Sequence, residues 1–114
     1  MNLAFLRQYC LSLPGCVEDV KYGSDLCFSI GNKIFLGTRL QGPFRTGIKC
    51  APEWFAELVE REGIVPMPRL ANTGWLRIEK ADALNKKEWE DYIQHSYNLV
   101  LASLPKKKRE AIRA

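Results

Sequence analysis

Apolar positions recur along this chain in two rhythms, and the points where one gives way to the other mark out its elements. Leu3, Leu6, Cys10 and Leu13 fall at helical spacing, predicting a helix over residues 2–12 that Pro14-Gly15 stop. The rhythm then drops to two. Leu26, Phe28 and Ile30 alternate with Cys27 and Ser29, Gly31-Asn32 turn the chain, and Ile34, Leu36, Thr38 and Leu40 alternate with Lys33, Phe35, Gly37 and Arg39. That is a hairpin. Gly42-Pro43 break it, and Thr46, Ile48 and Cys50 form the inner face of a third strand, with Arg45, Gly47 and Lys49 on its other face.

Pro52 opens a second helix, predicted to reach about Glu62, with Trp54, Phe55, Leu58 and Val59 as its apolar side. Residues 63–74 hold prolines and glycines without period and read as a loop. Trp75 to Lys80 is a short strand with Leu76 and Ile78 on one face. Asn85 caps a last helix striped by Trp89, Ile93, Tyr97, Val100 and Leu104. The fold class is α+β: a twisted antiparallel sheet with helices packed on one face. Residues 1–105 form one domain, and residues 106–114 a basic C-terminal tail.

Charge refines this picture. The net +4 of the chain resides entirely in residues 106–114, so a basic body cannot be assumed from the total. The body is nevertheless sorted. Residues 20–50 carry five Lys or Arg against Asp25 alone, and residues 69–80 also sum to a positive value. Residues 51–68 and 81–105, mostly helical, are net acidic. If Ile34, Leu36, Ile48, Leu76 and Ile78 face the helices, then Lys33, Phe35, Arg39, Arg45, Lys49, Trp75 and Arg77 share the open face. Cations interleaved with aromatics suit nucleic acid, because cations neutralise phosphates and rings stack on unpaired bases. The other reading is a solvated face whose side chains pair across strands. Lys106, Lys107, Lys108 and Arg109 either add phosphate contacts or simply end the chain as a solvated charge run beside helix carbonyls.

Catalytic and metal chemistry find little purchase. Cys10, Cys16, Cys27 and Cys50 form no CxxC pair and have one histidine to help them, which predicts reduced, buried thiols with neither zinc nor disulfide. His95 lies nearly opposite Ile93 and Tyr97 around its helix, predicting exposure. Ser96 lacks a G-x-S-x-G context. Glu53, Glu57 and Glu60 line one helix side, but a metal wants converging ligands. No phosphate-cradling glycine motif occurs, so no cofactor is expected. No apolar run spans a bilayer, and Arg7-Gln8 interrupt the only leader-like stretch, so no membrane partner and a cytoplasmic address are expected.

Certain motifs carry a resemblance: Leu13-Pro14-Gly15 followed by Glu18-Asp19 and Tyr22-Gly23, then Gly31-Asn32-Lys33-Ile34-Phe35 and Lys49-Cys50-Ala51-Pro52-Glu53. Trp75 and His95-Ser96-Tyr97, leading to Leu104-Pro105-Lys106-Lys107, complete the set. In order and spacing the chain resembles the MmcQ/YjbR-like family of small bacterial proteins. The resemblance implies a fold similar to the bacterial frataxin CyaY and a DNA-binding role through two strand-and-loop wings. Many relatives have Asn-Lys-x-His-Trp before the last strand, where this chain has Ala71-Asn72-Thr73-Gly74-Trp75, without the Lys and His. The expected function is a non-enzymatic DNA- or nucleic-acid-binding protein. The alternatives are a protein-interaction or small-ligand adaptor using the same face, and frataxin-like metal handling.

Overall fold

A computed structural model of the chain describes residues 1–113. The elements run α1 (Leu3–Ser12), β1 (Val17–Lys21), β2 (Asp25–Ile30), β3 (Lys33–Arg39), β4 (Thr46–Lys49), α2 (Pro52–Leu58), β5 (Ile64–Pro66), β6 (Trp75–Ile78), α3 (Lys86–Ser103) and α4 (Lys106–Arg113). Six strands form one antiparallel sheet in the order β1-β2-β3-β4-β6-β5. The alternation in residues 25–50 and 75–78 corresponds to the central strands. Sequence reasoning misses both edges: β1, whose side chains are mostly exposed, and β5, three residues ending at Pro66. Helix α2 stops at Leu58, short of the expected Glu62. The basic run after Pro105 is itself helical, with Ile112 lying against Gly15.

Helix α3 lies across β2, β3 and β4, and its apolar stripe buries Trp89, Ile93, Tyr97 and Val100 on Phe28, Leu36, Ile48, Leu76 and Ile78. Its start is a capping box. The Asn85 side chain accepts from the Glu88 amide at 2.8 Å, and the Glu88 carboxylate accepts from the Asn85 amide at 3.0 Å. The β2–β3 hairpin closes through Gly31 and Asn32, both at positive φ as a type I′ turn requires.

Strand β3 departs from simple alternation at one point. Phe28 pairs with Leu36 but Ser29 pairs with Ile34, so Phe35 is an extra, unpaired residue. This bulge resets the period. Phe35 and Leu36 both turn to the helices and are fully buried, and Ile34 moves to the opposite face. The expected exposure of Phe35 is thus incorrect: its ring meets Tyr97 edge to face, with centroids 5.4 Å apart.

Three consecutive residues of α3 hold this region. Ser96, fully buried, donates its hydroxyl to the Phe35 carbonyl at 2.6 Å and accepts from the Lys49 amide at 2.9 Å. The bulge leaves these two backbone groups outside the ladder, and one side chain satisfies both. Tyr97 donates to the Pro14 carbonyl. His95 is not exposed as expected: its Nε2 accepts from the Ala51 amide at 3.1 Å just before α2, and its ring lies 4.0 Å from that of Trp54. Accepting at Nε2 requires neutral imidazole, and burial lowers the pKa from its usual 6.5, with the Glu53 carboxylate opposing weakly.

Ser96→Ala strands a buried carbonyl and a buried amide, so it should lower unfolding free energy by about 2–4 kcal/mol, read by urea denaturation; a loss under 0.5 kcal/mol would contradict the bridging role. Because the His95 pKa is depressed by folding, protonation favours the unfolded chain. Stability should be complete above about pH 6.5 and fall as the pH drops below it, before the carboxylates titrate. His95→Gln should flatten the melting temperature between pH 7 and pH 5, and an unchanged slope would count against the assignment.

Candidate nucleic-acid interface

The sheet face away from α3 dips at its centre, where Gly37 and Gly47 pair across β3 and β4 and neither residue raises a side chain of its own. Around this floor is a cleft of about 240 Å³. Ile34 and Cys27 bound it on the β2–β3 side, and Trp75 and Arg77 on β6. Met67 and Leu70, from the stretch joining β5 to β6, fold over it, with the Met67 methyl above Gly47. That stretch is thus more than a loop: β5 pairs with β6, and the Met67 amide extends the pairing to the Trp75 carbonyl at 3.1 Å. Tyr22, 80% exposed on a positive-φ turn, stands at the rim.

Arg39, Arg45 and Arg77 converge on this cleft together with Trp75. Lys49 pairs with Trp75, two residues from Gly47, and so lies on the same face. These five residues keep the side assigned from their alternation. Two others do not join them. Phe35 is in the core. Lys33 lies beyond the bulge at the hairpin tip and pairs with the buried Ile30, so the same register shift takes it off the open face to the helix side, contrary to expectation. The α4 cations line no part of the cleft. Lys106 lies 3.9 Å from Glu110, and Arg109 donates to the Ala102 carbonyl at 3.1 Å, closing the end of α3.

The cleft is electrostatically unsatisfied. Among the described residues, no ion pair engages Arg39, Arg45, Lys49 or Asp25, and Arg77 reaches Glu79 only at 3.8 Å. Asp25 pairs with Arg39 in register and also lines the cleft. Its Oδ1 and the Arg77 Nε are buried without a hydrogen-bond partner. Such groups are expensive unless something satisfies them. The sequence signal for Asp25 is its position as the lone acid in a basic segment. Tyr22 and Met67 have no comparable signal, since both depend on how a turn and a loop fold back.

Other candidates disperse. Burial pushes all four thiols up, Cys16 and Cys50 to about 11, so they are protonated and poor nucleophiles at neutral pH. Among the described residues, no three His, Cys, Asp or Glu cluster as metal ligands would, and Glu53, Glu57 and Glu60 are exposed. No helix among them is long and apolar enough to cross a membrane.

Among solved structures, the chain is similar to the Deinococcus radiodurans protein DR2400, a DUF419-domain protein, with a TM-score of 0.88 and 23% identity over 98% of this chain and 88% of that one. It is also similar to a Pseudomonas syringae protein, with a TM-score of 0.72 and 19% identity over 88% of this chain and 99% of that one. At these identities the likeness concerns the fold. No curated protein matches the chain. The YjbR family model matches residues 11–99, the greater part of the sequence, and the chain belongs to that family.

Proposed function

We propose that this protein is a non-enzymatic module that binds single-stranded nucleic acid on the helix-free face of a CyaY-like sheet, in the cytoplasm. The observation that carries this reading is the convergence of Arg39, Arg45 and Arg77 with Trp75 around one cleft, with Lys49 beside it. Arg39, Arg45 and Lys49, which no ion pair engages among the described residues, are available to phosphates, and their binding releases counterions. Trp75 and Tyr22 offer rings to unpaired bases. Concavity argues for a single strand over a duplex, since a stacked base pair cannot enter a cleft of about 240 Å³.

A second reading, an adaptor for a small organic anion, draws on the apolar cover of Met67, Leu70 and Ile34 over the arginines. The two differ in how affinity depends on chain length. A strand gains with each phosphate that reaches the cationic rim, and a small anion does not.

Binding of a short oligodeoxynucleotide, followed by anisotropy across a salt series, should weaken steeply with salt. Arg39→Ala, Arg45→Ala or Lys49→Ala should each reduce the log–log slope by about 0.7. Trp75→Ala should cost single-strand affinity about 1–3 kcal/mol and leave duplex affinity nearly unchanged. By contrast, Lys107→Gln with Lys108→Gln should matter less than Arg45→Ala alone. If the α4 pair removes binding and the sheet substitutions do nothing, the interface is α4 and this reading fails.

A further inference from the structure

The turn between β1 and β2 holds an aromatic residue in a backbone conformation that suits it badly. Among the described residues, three other than glycine adopt a positive φ: Tyr22 at 56°, Asn32 at 68° and Arg69 at 69°. Asparagine enters that region readily, and a bulky aromatic does not. Such strain persists only where the surroundings impose it, and it gathers at functional sites. Here the surroundings do impose it. Gly23 also turns at φ 76°, and the Leu40 amide, after β3, donates to the Ser24 carbonyl at 3.0 Å, holding the turn from outside its own hairpin. The ring contributes little to the fold. Tyr22 is 80% exposed and, among the described residues, meets no other aromatic ring.

Register fixes where this ring stands relative to Trp75. Trp75 pairs with Lys49, two residues from the Gly37–Gly47 pair, and Arg39 pairs with Asp25, two residues from it in the other direction. The turn carrying Tyr22 directly precedes Asp25, and β6 lies three strands from β2. The two rings therefore mark opposite corners of the cleft. Their backbones are about 20 Å apart, at about 3.3 Å per residue along strands and about 4.8 Å between them. Arg39 and Arg45 come from β3 and the turn before β4, the strands between those corners. Resting on the single-strand reading above, we infer that Tyr22 is a second stacking residue and that the bound strand crosses the sheet obliquely. One base lies on Trp75 and another, several nucleotides away, on Tyr22, with phosphates between them on Arg39 and Arg45. Nothing has to enter the floor, which the Met67 methyl covers above Gly47. At a stacked rise of about 3.4 Å per nucleotide, about six nucleotides span the corners. Stacking accepts every base, so such a site ranks strands by length and tolerates any sequence.

Tyr22→Asn separates the two properties of this residue, since asparagine accepts the left-handed backbone and has no ring to stack. Its melting temperature in the full chain should rise by about 3–6 °C. Binding would be followed at low salt with a labelled thymidine dodecamer, and with an unlabelled trinucleotide as its competitor. Tyr22→Asn should weaken the dodecamer roughly tenfold and the trinucleotide less than about twofold. Tyr22→Phe keeps both the ring and the strain, so it should melt with the unchanged chain and bind the dodecamer within about twofold of it. Tyr22→Asn that binds the dodecamer as tightly as the unchanged chain, or melts no higher, would overturn the inference. An equal loss at both lengths would overturn the crossing, because both rings would then serve one short segment. In each of these cases a loss on Trp75→Ala leaves the single-strand reading standing. An unchanged chain that binds no dodecamer removes that reading, and this inference with it.

Discussion

The structure depends on one hydroxyl. Where β3 bulges at Phe35, a carbonyl on that strand and an amide on β4 fall out of the ladder, and Ser96 of α3 occupies the gap, donating to one and accepting from the other. A buried backbone group left unpaired costs more than a typical hydrogen bond contributes, so the bulge is tenable only with this bridge. The bridge also fixes α3 on the sheet at one height and one rotation. That setting places Tyr97 against Phe35 and Pro14, and His95 against Ala51, so the first loop, the bulged strand and the start of α2 are located by three successive residues. The His95-Ser96-Tyr97 motif, one of those that carry the family resemblance, is a structural clamp.

The same bulge determines which side chains face outward. By sending Phe35 inward and Ile34 outward, it replaces an aromatic with an aliphatic wall on the open face, and leaves Gly37 beside Gly47 at the centre. Arginines from the end of β3, the turn before β4 and the middle of β6 meet over that centre because these strands are neighbours in the sheet, although they are distant in the chain. The cationic character of the face is therefore a product of strand order. The +4 at the C-terminus lies on a separate helix and contributes nothing to the lining.

Much of this architecture is legible in the order of the amino acids alone. The central strands, the capped last helix, the inward Leu76, Ile78 and Ile48, and the outward Arg39, Arg45, Lys49, Trp75 and Arg77 all follow from period and turn chemistry. What is not legible has physical causes. A bulge inserts a residue without altering composition, so Phe35 and Ile34 exchange faces invisibly. An edge strand such as β1 has too few buried neighbours to require alternation, which hides Val17–Lys21. A helical wheel places His95 away from the apolar stripe, but exposure depends on what else packs there, and α2 brings Trp54 and Ala51 to it. The cleft itself needs the fold-back of Met67, whose position is set by pairing between two short strands 11 residues apart at their first positions.

The two margins of the sheet are unlike each other. β5 is three residues long and ends at Pro66, which has no amide to offer, so a foreign strand finds almost no template there. β1 is longer and offers Val17 and Val20 to solvent, but it interposes Glu18, Asp19 and Lys21, and Glu18 is held by Arg7 of α1 at 2.6 Å. Edge-to-edge stacking of two copies along β1 would bring these charges together and compete with that ion pair. The hazard of aggregation common to open sheets is thus curbed at one margin by brevity and at the other by charge, so the central face can stay concave and accessible without a flat border inviting further strands.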